Sequence, residues 1–78
     1  MKKIQQGQNP WEALANGIVA QACYDYRAAL ARLKRQPRNK SAKIMKEEVE
    51  RFFRSGWYRE LTDVDPEFLM RKLKEEAI

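Results

Sequence analysis

Residues 9–37 have the sequence NPWEALANGIVAQACYDYRAALARLKRQP, and this stretch predicts one long helix. Asn9 is a typical N-cap residue, and Pro10 is suited to the first helical position because the backbone N–H that it lacks would have no helical partner there. No further proline occurs before Pro37, which breaks the pattern. We therefore predict a first helix over about residues 10–36, roughly 40 Å long at about 1.5 Å per residue.

The predicted first helix is apolar on two faces when its residues are placed at intervals of about 100°. A stripe of mostly larger side chains is expected to face the core: Trp11, Ala15, Ile18, Ala22, Tyr26, Ala29 and Leu33, with Leu14 and Leu30 at its edges. The opposite side, called here the small-residue face, consists of Ala13, Gly17, Ala20, Tyr24, Ala28 and Ala31. Such a helix is either covered on both sides within the monomer or offers its small-residue face to another chain, as in a homodimer. Because only two more helices are predicted, we expect the second arrangement.

A second helix is predicted over about residues 41–55, after the break at Pro37, with Asn39 or Ser41 as its N-cap. The connecting loop is short, so the first two helices should be antiparallel neighbours. The predicted buried stripe of this helix consists of Ala42, Met45, Val49, Phe52, Phe53 and Gly56. Its outer face is predicted to carry the i,i+4 ion pairs Lys43–Glu47, Lys46–Glu50, Glu47–Arg51 and Glu50–Arg54.

Ser55 and Gly56 predict the end of the second helix, with Gly56 in the left-handed backbone conformation that favours glycine. A short apolar link with room for one helical turn follows, and Asp65-Pro66 predicts the start of a third helix over about residues 66–77. The side chains of this region that are expected to be buried are those of Phe52 or Phe53, Trp57 and Leu61. The tyrosines that are expected to be exposed are Tyr24 and Tyr58.

The predicted fold class is all-α, with a single three-helix domain over residues 9–78 and a mobile N-terminal arm at residues 1–8. The first two helices form a long antiparallel hairpin, and the shorter third helix packs across it. The chain has one cysteine, so it can form no internal disulfide. Its start lacks the features of a secretory signal, and no apolar run reaches the roughly 20 residues that cross a bilayer. We expect a cytoplasmic protein with no membrane partner.

The sequence contains no recognisable catalytic site. Histidine, the commonest general base and metal ligand, is absent. Cys23 therefore has no histidine to activate it, and it is predicted to be a partly buried structural thiol. Asp63 and Asp65 are interpreted as turn and cap residues rather than metal ligands. We predict a non-enzymatic protein with no catalytic residue, metal site or cofactor.

The positive charge of the chain is concentrated in one region. Residues 26–46 contain eight basic and no acidic residues, whereas the remainder contains eight basic and eleven acidic residues. Such a region could neutralise nucleic-acid phosphates and release their counterions. The candidate nucleic-acid-binding residues are Arg32, Lys34, Arg35, Arg38, Lys40 and Lys43. Alternatively, these cations only solvate an exposed helix end and complement the negative end of the first helix dipole.

Several short segments carry a resemblance to a known set of proteins. They are RFFRSGWY (51–58), LTDVD (61–65), FL and RKL (within 68–73), DYR (25–27) and RQPRNK (35–40). Together they resemble small uncharacterised proteins encoded in prophages and integrative elements of Gram-positive bacteria, over most of the chain from about Ile18 onward. The resemblance implies a setting in a bacterial mobile element, and it implies no activity, site residue or mechanism.

Two functions from different classes follow from these observations. The first is a non-enzymatic accessory or adaptor protein that acts through protein–protein contact, with the small-residue face as the candidate surface for self-association. The alternative is a sequence-tolerant nucleic-acid-binding protein that uses the basic end formed by the first two helices. The identity of the protein partner is left open by the sequence.

Overall fold

The computed structural model describes residues 10–77, and every regular element in this range is a helix. The helices are α1 (Pro10–Arg35), α2 (Lys40–Phe53), α3 (Gly56–Leu61) and α4 (Pro66–Glu76). The prediction of an all-α fold is confirmed for this part of the chain. The prediction of three helices is wrong, because the apolar link before α4 forms a helix of its own. Asn9, predicted as an N-cap, and the arm predicted at residues 1–8 lie outside the described residues.

The long first helix, α1, continues through Gly17 without a break and ends at Arg35. The N–H of Gln36 still donates to the carbonyl oxygen of Arg32 at 2.8 Å. Pro37 then has no N–H to donate, and its ring is incompatible with a continuing helix. The end of α1 is therefore set by the local sequence.

The start of α2 is fixed by Asn39, one of the two candidate N-cap residues. Its side-chain oxygen accepts a hydrogen bond from the backbone N–H of Ala42 at 2.9 Å. Its side-chain nitrogen donates to Oε1 of Gln36 at 2.8 Å. These two bonds fold the loop tightly, and α1 packs against α2 as predicted.

The junction between α2 and α3 differs from the prediction. Gly56 does not adopt a left-handed conformation, and it is the first residue of α3 rather than the terminator of α2. The C-cap of α2 is Arg54. Ser55 is the N-cap of α3: its hydroxyl accepts from the N–H of Tyr58 at 3.2 Å and donates to the carbonyl oxygen of Phe52 at 2.7 Å. The serine side chain thus satisfies both helix ends, and the turn needs no left-handed residue.

The core is built from residues of all four helices. Its buried members are Tyr26, Val49, Phe53, Tyr58, Met70 and Leu73. The ring of Phe53 contacts the rings of Tyr26 and Tyr58 edge-on, with centroid distances of 5.7 and 5.6 Å. This geometry places the positive ring edge against the negative ring face and adds to the stabilisation from burial.

The burial of two neighbouring aromatic residues is the reverse of the prediction. Trp57, expected in the core, is 55% exposed, whereas Tyr58, expected at the surface, is fully buried. The tyrosine can be buried because its hydroxyl donates to the backbone carbonyl oxygen of Val64 at 2.9 Å, so no polar atom is left without a partner. Phe53 and Leu61 are buried and Tyr24 is exposed, as predicted.

The predicted stripe of α1 is buried only along part of its length. Ala15, Tyr26 and Ala29 are buried, but Trp11 and Leu14 are more than half exposed. Every residue from Pro10 to Leu14 is exposed, so the other helices cover α1 only from Ala15 onward. On α2, Ala42, Val49 and Phe53 are buried as predicted, Phe52 is half-buried, and Met45 and Gly56 are exposed.

The first helix is the element that α2, α3 and α4 all contact. Along α2, residues near Ala42 lie beside Ala29, and residues near Phe52 lie beside Ala22. Within residues 10–77, none of the helices combines the length and the apolar character that crossing a bilayer requires.

Candidate functional site

The small-residue face of α1 is uncovered. All six of its residues are exposed: Ala13, Gly17, Ala20, Tyr24, Ala28 and Ala31. The space beside Gly17 is open, since a Cβ atom there would meet no atom within 4 Å. Tyr24, the one large side chain of this face, is 65% exposed. The other described helices therefore leave this face free.

An apolar groove runs along the seam between α1 and α2, directly beside the small-residue face. It has two halves that share Asp25. The first half is lined by Tyr24, Asp25, Ala28, Ala29, Arg32, Ser41, Ala42 and Met45. The second half, called here the Trp57 half, is lined by Ile18, Gln21, Ala22, Asp25, Glu48, Val49, Phe52 and Trp57. Tyr24 and Ala28 belong to both the first half and the small-residue face, so the two surfaces are continuous.

Trp57 forms the end wall of this groove. Its ring packs edge-on against the ring of Phe52, with a centroid distance of 5.6 Å and an interplanar angle of 79°. Phe52 in turn contacts the rings of Phe53 and Tyr58, both of which are fully buried. The half-exposed indole is therefore anchored through Phe52 to the core while one side remains accessible.

The charges in the groove are unevenly placed. Asp25 is half-buried at the junction of the two halves, and its carboxylate accepts a hydrogen bond from Nε2 of Gln21 at 3.0 Å. Glu48 lies on the opposite wall, contributed by α2. Arg32 lines the first half, but none of the described residues that line the Trp57 half is basic. The Trp57 half is thus an apolar surface with two carboxylates, on a protein whose formal net charge is +5.

The basic end consists of the last turn of α1, the loop and the first turn of α2. Its six predicted residues are all exposed: Arg32, Lys34, Arg35, Arg38, Lys40 and Lys43. The ion pairs of the described chain form elsewhere: Arg27–Glu76, Lys46–Glu50, Arg54–Glu67 and Lys72–Glu75. The structure therefore brings the predicted cations together at one end, and within residues 10–77 no ion pair involves Arg32, Arg35, Arg38, Lys40 or Lys43.

The predicted ion pairs along α2 form only in part. Lys46 and Glu50 are 3.0 Å apart, as the i,i+4 spacing predicts. Arg54 instead contacts Glu67, which α4 brings to 2.9 Å, so the tertiary contact replaces the predicted pair with Glu50. The pairs predicted for Glu47, with Lys43 and with Arg51, do not form among the described residues because these side chains extend into solvent.

Glu50 contacts both a buried core residue, Tyr26, and the surface residue Lys46. The hydroxyl of Tyr26 donates to Oε2 of Glu50 at 2.6 Å. Partial burial of Glu50 favours the neutral acid, but hydrogen bonds from Tyr26 and Lys46 outweigh it and lower the pKa of Glu50. Burial of Tyr26, together with its bond to the carboxylate, raises the pKa of that hydroxyl. The network satisfies a buried tyrosine and contributes to stability.

Cys23, Asp63 and Asp65 were considered above as a nucleophile or as metal ligands, and the structure gives none of them the surroundings of a reactive group. Burial raises the pKa of the Cys23 thiol, which disfavours the nucleophilic thiolate. The carboxylate of Asp65 accepts from the N–H of Glu67 at 3.1 Å, so Asp65 is a helix cap. Asp63 is exposed in the preceding turn. Across residues 10–77, no group of three or more cysteine, aspartate or glutamate side chains could hold a metal ion.

The groove was not predicted from the sequence, although α2 contains a signal for it. Met45 and Phe52 lie about 70° around the helix from the mean direction of Ala42, Val49 and Phe53 at about 100° per residue. The apolar stripe of α2 is therefore wider than a single contact with the core requires.

No protein-family model matches the chain, and no curated protein or solved structure is significantly similar to it.

Proposed function

We propose that this protein is a non-enzymatic accessory or adaptor protein of a bacterial mobile element that acts through protein–protein contact and forms a homodimer through its small-residue face. The observation that carries the proposal is the exposure of that whole face. From Ala13 to Ala31 it contains no charged side chain. An ordinary solvent-facing helix surface is polar or charged, and a contiguous apolar surface is typical of an interaction site.

The small side chains favour a helix as the contacting element. Alanine and glycine allow two helix axes to approach to the short end of the usual range of about 8–10 Å. At that distance the backbones themselves supply much of the contact. Tyr24, in the middle of the face and largely exposed, would gain most from being covered.

The proposal includes an arrangement of the helices in which this face stays free. We take α1 and α2 as an antiparallel hairpin with α4 packed across it. Ala29 and Ala42 line the first half of the groove and Ala22 and Phe52 line the Trp57 half, which supports the antiparallel order. The burial of Met70 and Leu73 of α4 in the core supports the crossing position.

Light scattering after size-exclusion chromatography tests self-association. We expect a dimer for the natural chain and a monomer for Gly17→Glu, which places a charge on this face. Asn16→Glu is the matched control, since it introduces the same charge one residue earlier and about 100° around the helix. A monomer at high micromolar concentration, or a dimer unaffected by Gly17→Glu, would remove the homodimer from the proposal.

Nucleic-acid binding at the basic end is the second candidate function. It is favoured by five exposed cations that form no ion pair with the other residues the structure describes: Arg32, Arg35, Arg38, Lys40 and Lys43. Binding of this kind is independent of sequence and weakens steeply as salt increases, because it depends on counterion release.

Titration of duplex DNA, single-stranded DNA and RNA at low salt tests this candidate. Replacing Arg35 and Arg38 by glutamate should weaken binding and reduce its salt dependence. Replacing Arg51 and Arg59 by glutamate changes the net charge equally at exposed positions elsewhere, and it should have a smaller effect. No binding to any of the three at low salt, or equal weakening by both double variants, would contradict nucleic-acid binding at this end.

A further inference from the structure

We propose that the Trp57 half of the groove between α1 and α2 is a docking site for an amphipathic helix of a partner protein that carries a lysine or arginine between apolar side chains. This inference rests on the proposed function of protein contact and specifies the chemistry of the partner. The shape of the groove, its apolar walls and its carboxylates each support a different part of the proposal.

The shape and walls of the groove fit a helix. It follows the seam between two packed helices, and from Ile18 to Asp25 the Trp57 half accompanies α1 for about 10 Å, which is about two helical turns. The walls near Trp57 are apolar side chains of Ile18, Ala22 and Phe52. A helix laid in such a groove buries one apolar face with residues spaced three and four apart.

Trp57 supplies the anchor at the end of this site. Large aromatic side chains at an interface contribute much of the binding energy when a partner covers them. The ring of Trp57 is held against Phe52 in the free protein, so little conformational freedom is lost when a partner covers its exposed side. Its 55% exposure is the largest unused apolar area of this half.

The carboxylates determine the charge of the occupant. Asp25 of α1, which accepts a hydrogen bond from Gln21, and Glu48 of α2 both line this half. A partner that brings a cation between its apolar residues would be attracted by both carboxylates. Since no basic residue lines this half, a second copy that pairs its Trp57 half with the same half here would bring carboxylate to carboxylate. Nucleic-acid phosphates would meet the same repulsion.

Fluorescence anisotropy with two synthetic helical peptides tests the inference on the full chain. Both peptides carry leucines along one face; one has a single lysine at the centre of that face, and the other has glutamate instead. We expect the lysine peptide to bind more tightly by roughly tenfold or more, as for close charge pairs at interfaces. Trp57→Ala should weaken both peptides, because it removes the apolar anchor.

Two neighbouring charge reversals provide the decisive comparison. Glu48→Lys should weaken the lysine peptide roughly tenfold and favour the glutamate peptide. Glu47→Lys changes the same charge one residue earlier, about 100° around α2, where Glu47 lines a different surface, and this variant should bind as the natural chain does. Equal affinity for the two peptides, an equal effect of both reversals, or no binding of either peptide would overturn the inference.

Failure of this inference is distinguishable from failure of the homodimer. Gly17 does not line the groove, so the sizing experiment with Gly17→Glu tests the small-residue face separately. A dimer that binds neither peptide overturns the docking site alone. A monomer that binds the lysine peptide, with the expected effect of Glu48→Lys, supports the docking site and removes the homodimer.

Discussion

Replacing Tyr58 by phenylalanine isolates one polar contact in the core. The ring is fully buried between Phe52 and Phe53, and the substitution leaves these contacts in place. What is lost is the hydrogen bond of 2.9 Å from the hydroxyl to the carbonyl oxygen of Val64. Such a bond contributes about 0.5–1.5 kcal/mol net, and an acceptor that stays buried without a partner adds to the loss. Since Val64 is 46% exposed, water can reach its backbone. We therefore expect Tyr58→Phe to lower the free energy of unfolding by about 1 kcal/mol.

This loss is large enough to measure in so small a protein. For a domain of this size, about 1 kcal/mol lowers the melting temperature by about 4–8 °C. Thermal unfolding followed by circular dichroism, with urea unfolding to verify an unchanged m-value, provides the measurement. Tyr24→Phe is the control, because Tyr24 is largely exposed and its hydroxyl makes no hydrogen bond within the described chain. Equal melting temperatures for Tyr58→Phe and the natural chain, or an equal decrease in Tyr24→Phe, would refute the assigned role of the Tyr58 hydroxyl.

Three further changes test the stability of the fold. Because the pKa of Glu50 is lowered in the folded state, its contribution is present above the unfolded value of about 4.3 and is lost as the pH falls through the folded value. The free energy of unfolding measured in urea should therefore decrease in acid, and Glu50→Gln should make this decrease smaller. An identical pH dependence in Glu50→Gln would contradict the role given to Glu50. Ser55→Ala should lower the free energy of unfolding by about 0.5–2 kcal/mol, as for other N-caps, and Ser55→Asp should restore part of it. Leu73→Ala should cost about 2–5 kcal/mol in the same assay, whereas exposed Lys74→Ala should cost much less.

Features that depend on a few adjacent residues were predictable from the sequence. Asn39 caps α2 and Asp65 caps α4, because each side chain bonds a backbone N–H only two or three residues ahead. Pro37 ends α1 through its own covalent structure. The small-residue face could also be predicted, because an interval of about 100° per residue places its six residues on one side of α1. Its exposure was expected because few other helices are available to cover it.

Features that depend on how helices meet were not predictable in the same way. Ser55 can end one helix or begin the next, and the distinction depends on whether Tyr58 is drawn into the core. Trp57 and Tyr58 are adjacent in a helix of six residues, so a rotation of α3 decides which of them is buried. The rotation favours Tyr58, whose hydroxyl reaches Val64 beyond the end of the helix. The groove arises for the same reason, because α2 presents more apolar width than its neighbours cover.

The separation between the basic end and the paired charges around α4 gives the protein an electric dipole. Of the four ion pairs between residues 10 and 77, three involve a residue of α4, where opposite charges largely cancel. At the loop between α1 and α2 they do not cancel, so a negatively charged surface exerts a torque on the whole molecule before contact. We therefore expect the end of the molecule that holds this loop to be drawn first toward such a surface.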